Sequence, residues 1–123
     1  MKNKYVTIGA VLGFLGVAIG AFGTHSLKPY ILPDLFETYR TGVMYHLRHA
    51  VIITAIGLSA KAEYSKGALF LAIGIILFSF SLYVYSLTGI KFLAMITPFG
   101  GVSFLAGWLL LIIASVKKIR LTP

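Results

Sequence analysis

Four apolar stretches, each about 20 residues long, account for most of this chain and limit what it can fold into. Only 11% of its 123 residues are charged, whereas a soluble domain carries about a quarter. Backbone groups in hydrocarbon must be satisfied within their own segment, which favours helices. We therefore predict an all-α fold, an integral membrane four-helix bundle with short loops, forming one domain over residues 1–123. The predicted spans are residues 5–23, 42–60 (in a helix from about residue 34), 67–88 and 98–116.

A stripe of glycines marks the first span. Its members are Gly9, Gly13, Gly16, Gly20 and Gly23. They recur at intervals of four, three, four and three residues, so they share one side of a helix. In water each would cost roughly 1 kcal/mol relative to alanine, but in a bilayer glycines let a neighbouring backbone approach closely. The stripe predicts tight helix packing, with a lipid or ligand groove along this face as the alternative. Gly16→Leu is therefore expected to be more destabilising than Leu15→Ile.

Small residues also share faces of the later spans. They are Gly67, Gly74 and Ser81 in the third span, and Gly100 and Gly107 in the fourth. Spacing by seven residues keeps each set on one helix face, which predicts further packing contacts between helices.

The sequence also predicts where helices begin and end. Asp34 resembles an N-cap of the second helix, and Glu37, three residues on, completes a capping box. Gly89 is a plausible C-cap of the third helix. Thr97 and Pro98 suit the start of the fourth helix, after an apolar connector over residues 90–96.

The distribution of basic residues predicts the orientation. Four spans place both termini on one side, with seven Lys and Arg residues on that side and four on the other. Because positive charge marks cytoplasmic loops, we predict a multi-pass protein of the bacterial cytoplasmic (inner) membrane with both termini cytoplasmic. The net charge of +8 lies at the edges of apolar segments. It therefore indicates membrane lipids, and not nucleic acid, as partners. The small-residue faces also offer contacts for a homo-oligomer or a protein partner.

The second helix contains the only dense polar cluster. With His25, which follows the first helix, it forms the candidate ligand or lipid-headgroup site: His25, Tyr45, His46, Arg48 and His49. Tyr39, Gly42, His46, His49 and Ile53 share one helical face. We expect His25 and His49 to lie close enough to share a partner, as a structural clamp or as a headgroup site. Arg48 lies about two turns into the membrane. Its side chain would either extend to a lipid phosphate or take part in the function of the protein.

Other chemistries find less support. Histidines suit metal ions, haem and proton-responsive sites, but no carboxylate lies at ligand spacing from His46 and His49, so we predict no metal and no cofactor. The chain contains no cysteine and shows no Ser–His–Asp set or glycine-rich phosphate loop. The acidic residues Asp34, Glu37 and Glu63 lie in or beside predicted loops. We therefore expect no catalytic residues and no enzymatic activity.

Several motifs together resemble one family. They are residues 20–25 (Gly-Ala-Phe-Gly-Thr-His), 39–49, 80–83 (Phe-Ser-Leu-Tyr), 87–89 (Leu-Thr-Gly), 97–101 (Thr-Pro-Phe-Gly-Gly) and 107–108 (Gly-Trp). In this order they resemble the YgdD/YwdK family, small bacterial inner-membrane proteins classed as a domain of unknown function, with a eukaryotic transmembrane relative. The resemblance implies four helices and a plasma-membrane location, and it brings no activity. Thr24 stands where the family usually has Ala, and Arg48 where it often has Tyr.

Three functions are consistent with the sequence. The first is a non-enzymatic membrane protein that binds lipid or another amphiphile and supports membrane integrity. The second is a small transporter or channel subunit, and the third is a haem- or metal-binding component that uses histidines.

Overall fold

The structure, a computed structural model, describes residues 4–121 and the side chains of residues 4–117. Its α-helices are α1 (Lys4–His25), α2 (Phe36–Ser59), α3 (Ser65–Gly74), α4 (Ser81–Thr88) and α5 (Lys91–Leu121). A π-helical segment, Ile75–Phe80, continues α3 into α4 without a break. We call this continuous stretch the third helix. The described chain is therefore all-α with four helices, as the sequence predicted.

The four helices run alternately up and down. Three pairs of facing residues show that α1 is antiparallel to α2: Gly9 with Thr54, Gly16 with His46, and Gly23 with Tyr39. The third helix packs between α2 and α5. The Ser103 hydroxyl of α5 donates a hydrogen bond to the Phe70 carbonyl of α3, and the Thr97 hydroxyl of α5 is hydrogen-bonded to Ser81 of α4. The earlier residue of α5 thus meets the later residue of the third helix, so the two helices are antiparallel. Lys4 and Lys117 consequently lie at the same end of the bundle.

Apolar side chains cover the outside of the bundle as well as its core. The core includes Leu12, Ile53, Leu71, Ile75 and Phe104. Large apolar side chains are also exposed on every helix, among them Phe14, Val51, Ile76, Phe99 and Leu105. Lys4–His25, Ala62–Thr88 and Lys91–Lys117 are long and apolar enough to cross a membrane. The helix α2 is less apolar because it carries the polar cluster.

The predicted start of the second helix was wrong. Asp34 does not cap α2, because Pro33–Leu35 forms a 3-10 turn and α2 begins at Phe36. No side chain caps the first turn of α2. Glu37 instead accepts a bond from Arg40 at 3.1 Å. The reason is that Pro33 sets the backbone of its own turn, so the chain enters the helix two residues after Asp34.

Residues 91–96 belong to α5, and Pro98 lies inside that helix rather than at its first position. Proline inside a helix leaves one carbonyl without its usual donor. The Thr97 hydroxyl bonds Ser81 at 2.7 Å across the interface with α4, which holds this irregular stretch of α5 against the bundle. Gly89, by contrast, ends the third helix with φ 71°, as predicted for a C-cap.

The π-helical segment was not predicted. Helix α5 approaches it closely, because a Cβ on Gly100 would lie 2.7 Å from the Leu77 carbonyl carbon. The Ser79 hydroxyl, in the same segment, donates to the Gly42 carbonyl of α2 at 2.7 Å. Segments of this kind are frequent at functional sites, and this one carries Phe78 toward the space between α2 and α5.

Candidate functional site

One face of α2 is buried over its whole length. Tyr39, Gly42, His46, His49 and Ile53, which the helical periodicity placed on one face, are all buried. This face meets α1 on one side and the third helix on the other. The polar side chains of α2 therefore divide into a buried set and an exposed set, and Arg48 belongs to the exposed set.

His46 is fully buried and links three helices. Its Nε2 lies 2.6 Å from the Leu12 carbonyl of α1, and its Nδ1 lies 2.8 Å from the Tyr83 hydroxyl of α4. Because a carbonyl only accepts, Nε2 carries the proton, and Nδ1 of the neutral ring accepts from Tyr83. Both polar ends of the ring are satisfied, so His46 stabilises the junction of α1, α2 and α4.

A glycine makes the first of these bonds accessible. A helical side chain covers the turn that precedes it, so the residue at position 16 would cover the Leu12 carbonyl. A Cβ on Gly16 would lie 3.2 Å from Cδ2 of His46 and 2.6 Å from Cδ2 of Leu47. The absence of a side chain at Gly16 therefore opens the carbonyl that His46 uses.

The same arrangement recurs twice. The Tyr39 hydroxyl donates to the Ile19 carbonyl at 2.6 Å, and Gly23, four residues on from Ile19, lies against the Tyr39 ring. The Ser103 hydroxyl of α5 donates to the Phe70 carbonyl of α3 at 2.7 Å, and Gly74 lies four residues on from Phe70. In all three cases a glycine opens the carbonyl that precedes it by four residues to a polar side chain of another helix.

The other small residues of the predicted packing faces vary in how closely they are approached. Gly9 lies against the Thr54 backbone, and Gly67 and Gly107 each approach the other's carbonyl. Gly13 and Gly20 are less crowded: a Cβ would lie 4.0 Å from Ala50 at the first and 3.1 Å from Val43 at the second. Side chains of α2 therefore occupy most of the glycine stripe.

His49 points away from α1 and toward α5. Its Nδ1 donates to the Tyr45 carbonyl at 2.8 Å, and its Nε2 accepts from the Trp108 indole at 3.1 Å. Its ring stacks on Phe104 with centroids 4.0 Å apart. His49 and His46 thus hold opposite tautomers and contact different helices.

A groove of about 690 Å³ opens beside His49, between α2 and α5. Aromatic rings line one part of it: Tyr45, Phe78, Phe104 and Trp108. Val51, Ile52 and Leu105 make the remainder apolar, and Gly101 leaves room on the α5 side. Its size falls within the roughly 300–1,000 Å³ of small-molecule sites. Phe78, Phe104 and Trp108 were not among the predicted site residues. The available signal was Trp108, a lone tryptophan far from either end of its span.

Arg48 lines this groove and is the charged residue of its wall. Within the described residues its guanidinium makes no hydrogen bond or ion pair. The three acidic residues of the chain cannot supply a counter-charge nearby, because Asp34, Glu37 and Glu63 lie in or beside the loops at the two ends of the bundle. The charge of Arg48 therefore has no partner along this part of the described chain.

The register of the helices shows where Arg48 lies along the bundle. At 1.5 Å per residue, Arg48 lies about 18 Å from the start of α2 at Phe36 and about 17 Å from its end at Ser59. Gly13, in the middle of the apolar run of α1, faces Ala50, which is two residues after Arg48. Arg48 is therefore at the middle of the bundle.

The expected proximity of His25 and His49 was wrong. His25 is exposed at the last residue of α1, whereas His49 lies level with Gly13. The two are separated by about 18 Å along the bundle axis. The physical reason is that α2 begins at Phe36, so Tyr39 of its first turn meets the end of α1. The structure brings together Tyr45, Arg48 and His49 at the groove, and it places His46 behind them and His25 elsewhere.

Both ring nitrogens of His46 and of His49 are already engaged in hydrogen bonds. Among residues 4–121, no three His, Cys, Asp or Glu side chains lie close enough to share a metal ion. A metal at either histidine would have to replace one of these bonds.

Comparison with known proteins identifies the family. The family described as "Protein of unknown function (DUF423)" matches residues 19–101. The UPF0382 membrane protein YwdK of Bacillus subtilis is 38% identical over 118 residues, which is 92% of this chain and 96% of that protein. The chain belongs to the UPF0382 family of membrane proteins. The resemblance seen in the motifs is thereby confirmed.

Further UPF0382 relatives match over almost their whole length. A membrane protein of Haemophilus influenzae is 38% identical, covering 96% of this chain and 98% of its own. The inner membrane protein YgdD of Escherichia coli K12 is 35% identical, covering 98% of this chain and 95% of its own. The chain is accordingly an inner-membrane protein with multiple spans. No solved structure matches it.

Proposed function

We propose that this UPF0382 protein binds an amphiphile in the groove between α2 and α5 and thereby supports membrane integrity, without enzymatic activity. The observation that carries the proposal is Arg48, an arginine at mid-depth whose charge has no partner within the described residues. A charged side chain inside a membrane is costly unless it is paired, and such residues are by default functional candidates. A bound amphiphile with a polar or anionic end would provide the partner.

The walls of the groove support the same proposal. Tyr45 and Trp108 present aromatic surface, and Val51, Ile52 and Leu105 present apolar surface suited to a hydrocarbon chain. Phe78 of the π-helical segment lines the groove, so irregular helix contributes to its wall. Irregular backbone is tolerated at membrane depth where it lines a cavity.

The orientation is part of the proposal. We propose that all four helices cross the membrane and that both termini are cytoplasmic, because the basic residues are asymmetric. Lys2 lies outside the described residues, and the side chains of Lys118 and Arg120 are not described. Most of the glycines make contacts within the chain, so a homo-oligomer or protein partner would have to use the exposed apolar faces.

Lipid carried through purification tests the proposal. The protein would be extracted in a mild detergent, and the bound molecules would be counted and identified by native mass spectrometry. Gly101→Leu should fill the groove without disturbing the backbone, since a Cβ there would meet only Cδ2 of Phe78, at 4.0 Å. Val102→Leu, on the outward face of the same helix, is the matched control.

We expect Gly101→Leu to lose a bound amphiphile that the wild type and Val102→Leu retain. Equal retention in all three proteins, at equal thermal stability, would show that the groove is not the binding site. Absence of any specifically retained molecule in the wild type would contradict amphiphile binding itself.

A small transporter or channel subunit is the alternative, and the mid-depth position of Arg48 favours it specifically. Ionisable residues at this depth often mark a substrate or ion pathway. Flux of an anionic solute into proteoliposomes, present with the wild type and lost with Arg48→Gln, would support transport over simple binding.

A further inference from the structure

We infer that the amphiphile of the α2–α5 groove is a long-chain carboxylic acid, held with its carboxylate on Arg48 near the middle of the membrane. This inference rests on the proposed function and specifies its ligand. It excludes the more obvious partner of a membrane arginine, the phosphate of a bilayer phospholipid, as the usual occupant.

The depth of Arg48 argues against a phospholipid headgroup. The hydrocarbon core is about 30 Å thick, so lipid phosphates lie about 15 Å or more from its centre. Arg48 lies close to the level of Gly13, in the middle of the apolar run of α1, so its guanidinium remains several ångströms short of either phosphate layer. A phospholipid would have to leave its leaflet to pair with Arg48.

A carboxylic acid can reach this depth. In its protonated form it is neutral and enters hydrocarbon at much lower cost than an ion. On pairing with Arg48 its O–H bond breaks, the proton passes to water, and the carboxylate remains with the guanidinium. The planar guanidinium matches a carboxylate through two parallel, charge-assisted N–H bonds.

The surroundings of Arg48 fit such a molecule. The Tyr45 hydroxyl, one turn away, makes no hydrogen bond within the described chain and offers a second donor. Val51 and Ile52, on the next turn, provide apolar contact for the alkyl chain. The Trp108 indole donates its hydrogen bond to His49, and the rings of both residues line the groove. Two donors, Tyr45 and Arg48, therefore lie one helical turn apart on a surface that is otherwise largely apolar.

Trp108 makes the inference measurable, because it is the only tryptophan of the chain and lines the groove. The full-length protein in detergent would be titrated with brominated stearic acid, whose bromine atoms quench a tryptophan in contact with them. The methyl ester of the same acid and a brominated phosphatidylglycerol serve as comparison ligands. The variants are Arg48→Gln, Arg48→Lys, and the charge-matched control Arg40→Gln on the exposed outer turn of α2.

With the wild type we expect saturable quenching by the acid and at least about tenfold weaker binding of the ester. Arg48→Gln should bind the acid about tenfold more weakly than the wild type does. Arg40→Gln should bind as the wild type does, and Arg48→Lys should recover part of the affinity because it restores the charge. Because Arg48 is exposed and has no described partner, Arg48→Gln should fold normally, and its melting temperature checks this.

The other outcomes separate this inference from the proposed function. If acid and ester bind equally, or if only the phosphatidylglycerol saturates, the ligand is not a carboxylate, yet the groove still binds an amphiphile. If acid binding survives in Arg48→Gln unchanged, Arg48 is not its partner and the inference is wrong. If none of the three ligands gives saturable quenching, both the inference and the proposed function fail.

Discussion

Adding one methyl group at Gly16 should separate α1 from α2. In Gly16→Ala the new Cβ would lie 2.6 Å from Cδ2 of Leu47 and 3.2 Å from Cδ2 of His46. Leu47 is partly buried and can shift by rotation, but the His46 ring is held at both nitrogens. Relief of the contact therefore lengthens the bond from His46 to the Leu12 carbonyl.

The magnitude follows from three terms. Overpacking costs about 1–3 kcal/mol. Loss of the buried bond from His46 adds about 1–3 kcal/mol, because its Nε2–H would be left without an acceptor. Alanine returns up to about 1 kcal/mol through its higher helix propensity. With the bond lost, the three terms give an expected net loss in the free energy of unfolding of about 1–5 kcal/mol.

Gly13→Ala provides the control on the same helix. Its Cβ would lie 4.0 Å from Cβ of Ala50, an ordinary contact, so this variant should be neutral or slightly stabilised. Both proteins would be unfolded by SDS in mixed micelles, with Trp108 fluorescence as the signal. If Gly16→Ala is within about 0.5 kcal/mol of Gly13→Ala, the α1–α2 contact is softer than described and the role of Gly16 is wrong.

Three further predictions concern the buried network, a helix end and the orientation. His46→Phe and Tyr83→Phe should each reduce the free energy of unfolding by about 1–3 kcal/mol. Because His46 and Tyr83 share one hydrogen bond, the double variant should lose less than the sum of the two single losses. Full additivity in the same SDS assay would contradict the network. Gly89→Ala should cost about 1–2 kcal/mol at φ 71°, and an unchanged SDS midpoint would refute that. Cysteines at Lys2 or Thr122, outside the described residues, should resist an impermeant thiol reagent in intact cells, and labelling of both would reverse the predicted orientation.

Local sequence was sufficient for the helices and for which residues share a helical face. The apolar stretches predicted four helices, and a 3.6-residue period placed Tyr39, Gly42, His46, His49 and Ile53 on one face, which the structure shows to be buried. These features repeat along one segment, so they can be recognised without knowing its neighbours. The C-cap at Gly89 is equally local, because its positive φ suits glycine.

The site depended on contacts between segments far apart in the chain. The offset between α1 and α2 places Arg48 at mid-depth and separates His25 from His49, and it is set by glycines facing particular side chains of α2. The π-helical segment and the position of Pro98 inside α5 likewise coincide with bonds and close contacts across helix interfaces. Periodicity describes which face of a helix is buried but carries no information about how far one helix slides along another. The partners of His46 and His49, and the lack of one for Arg48 within the described residues, were therefore decided by packing alone.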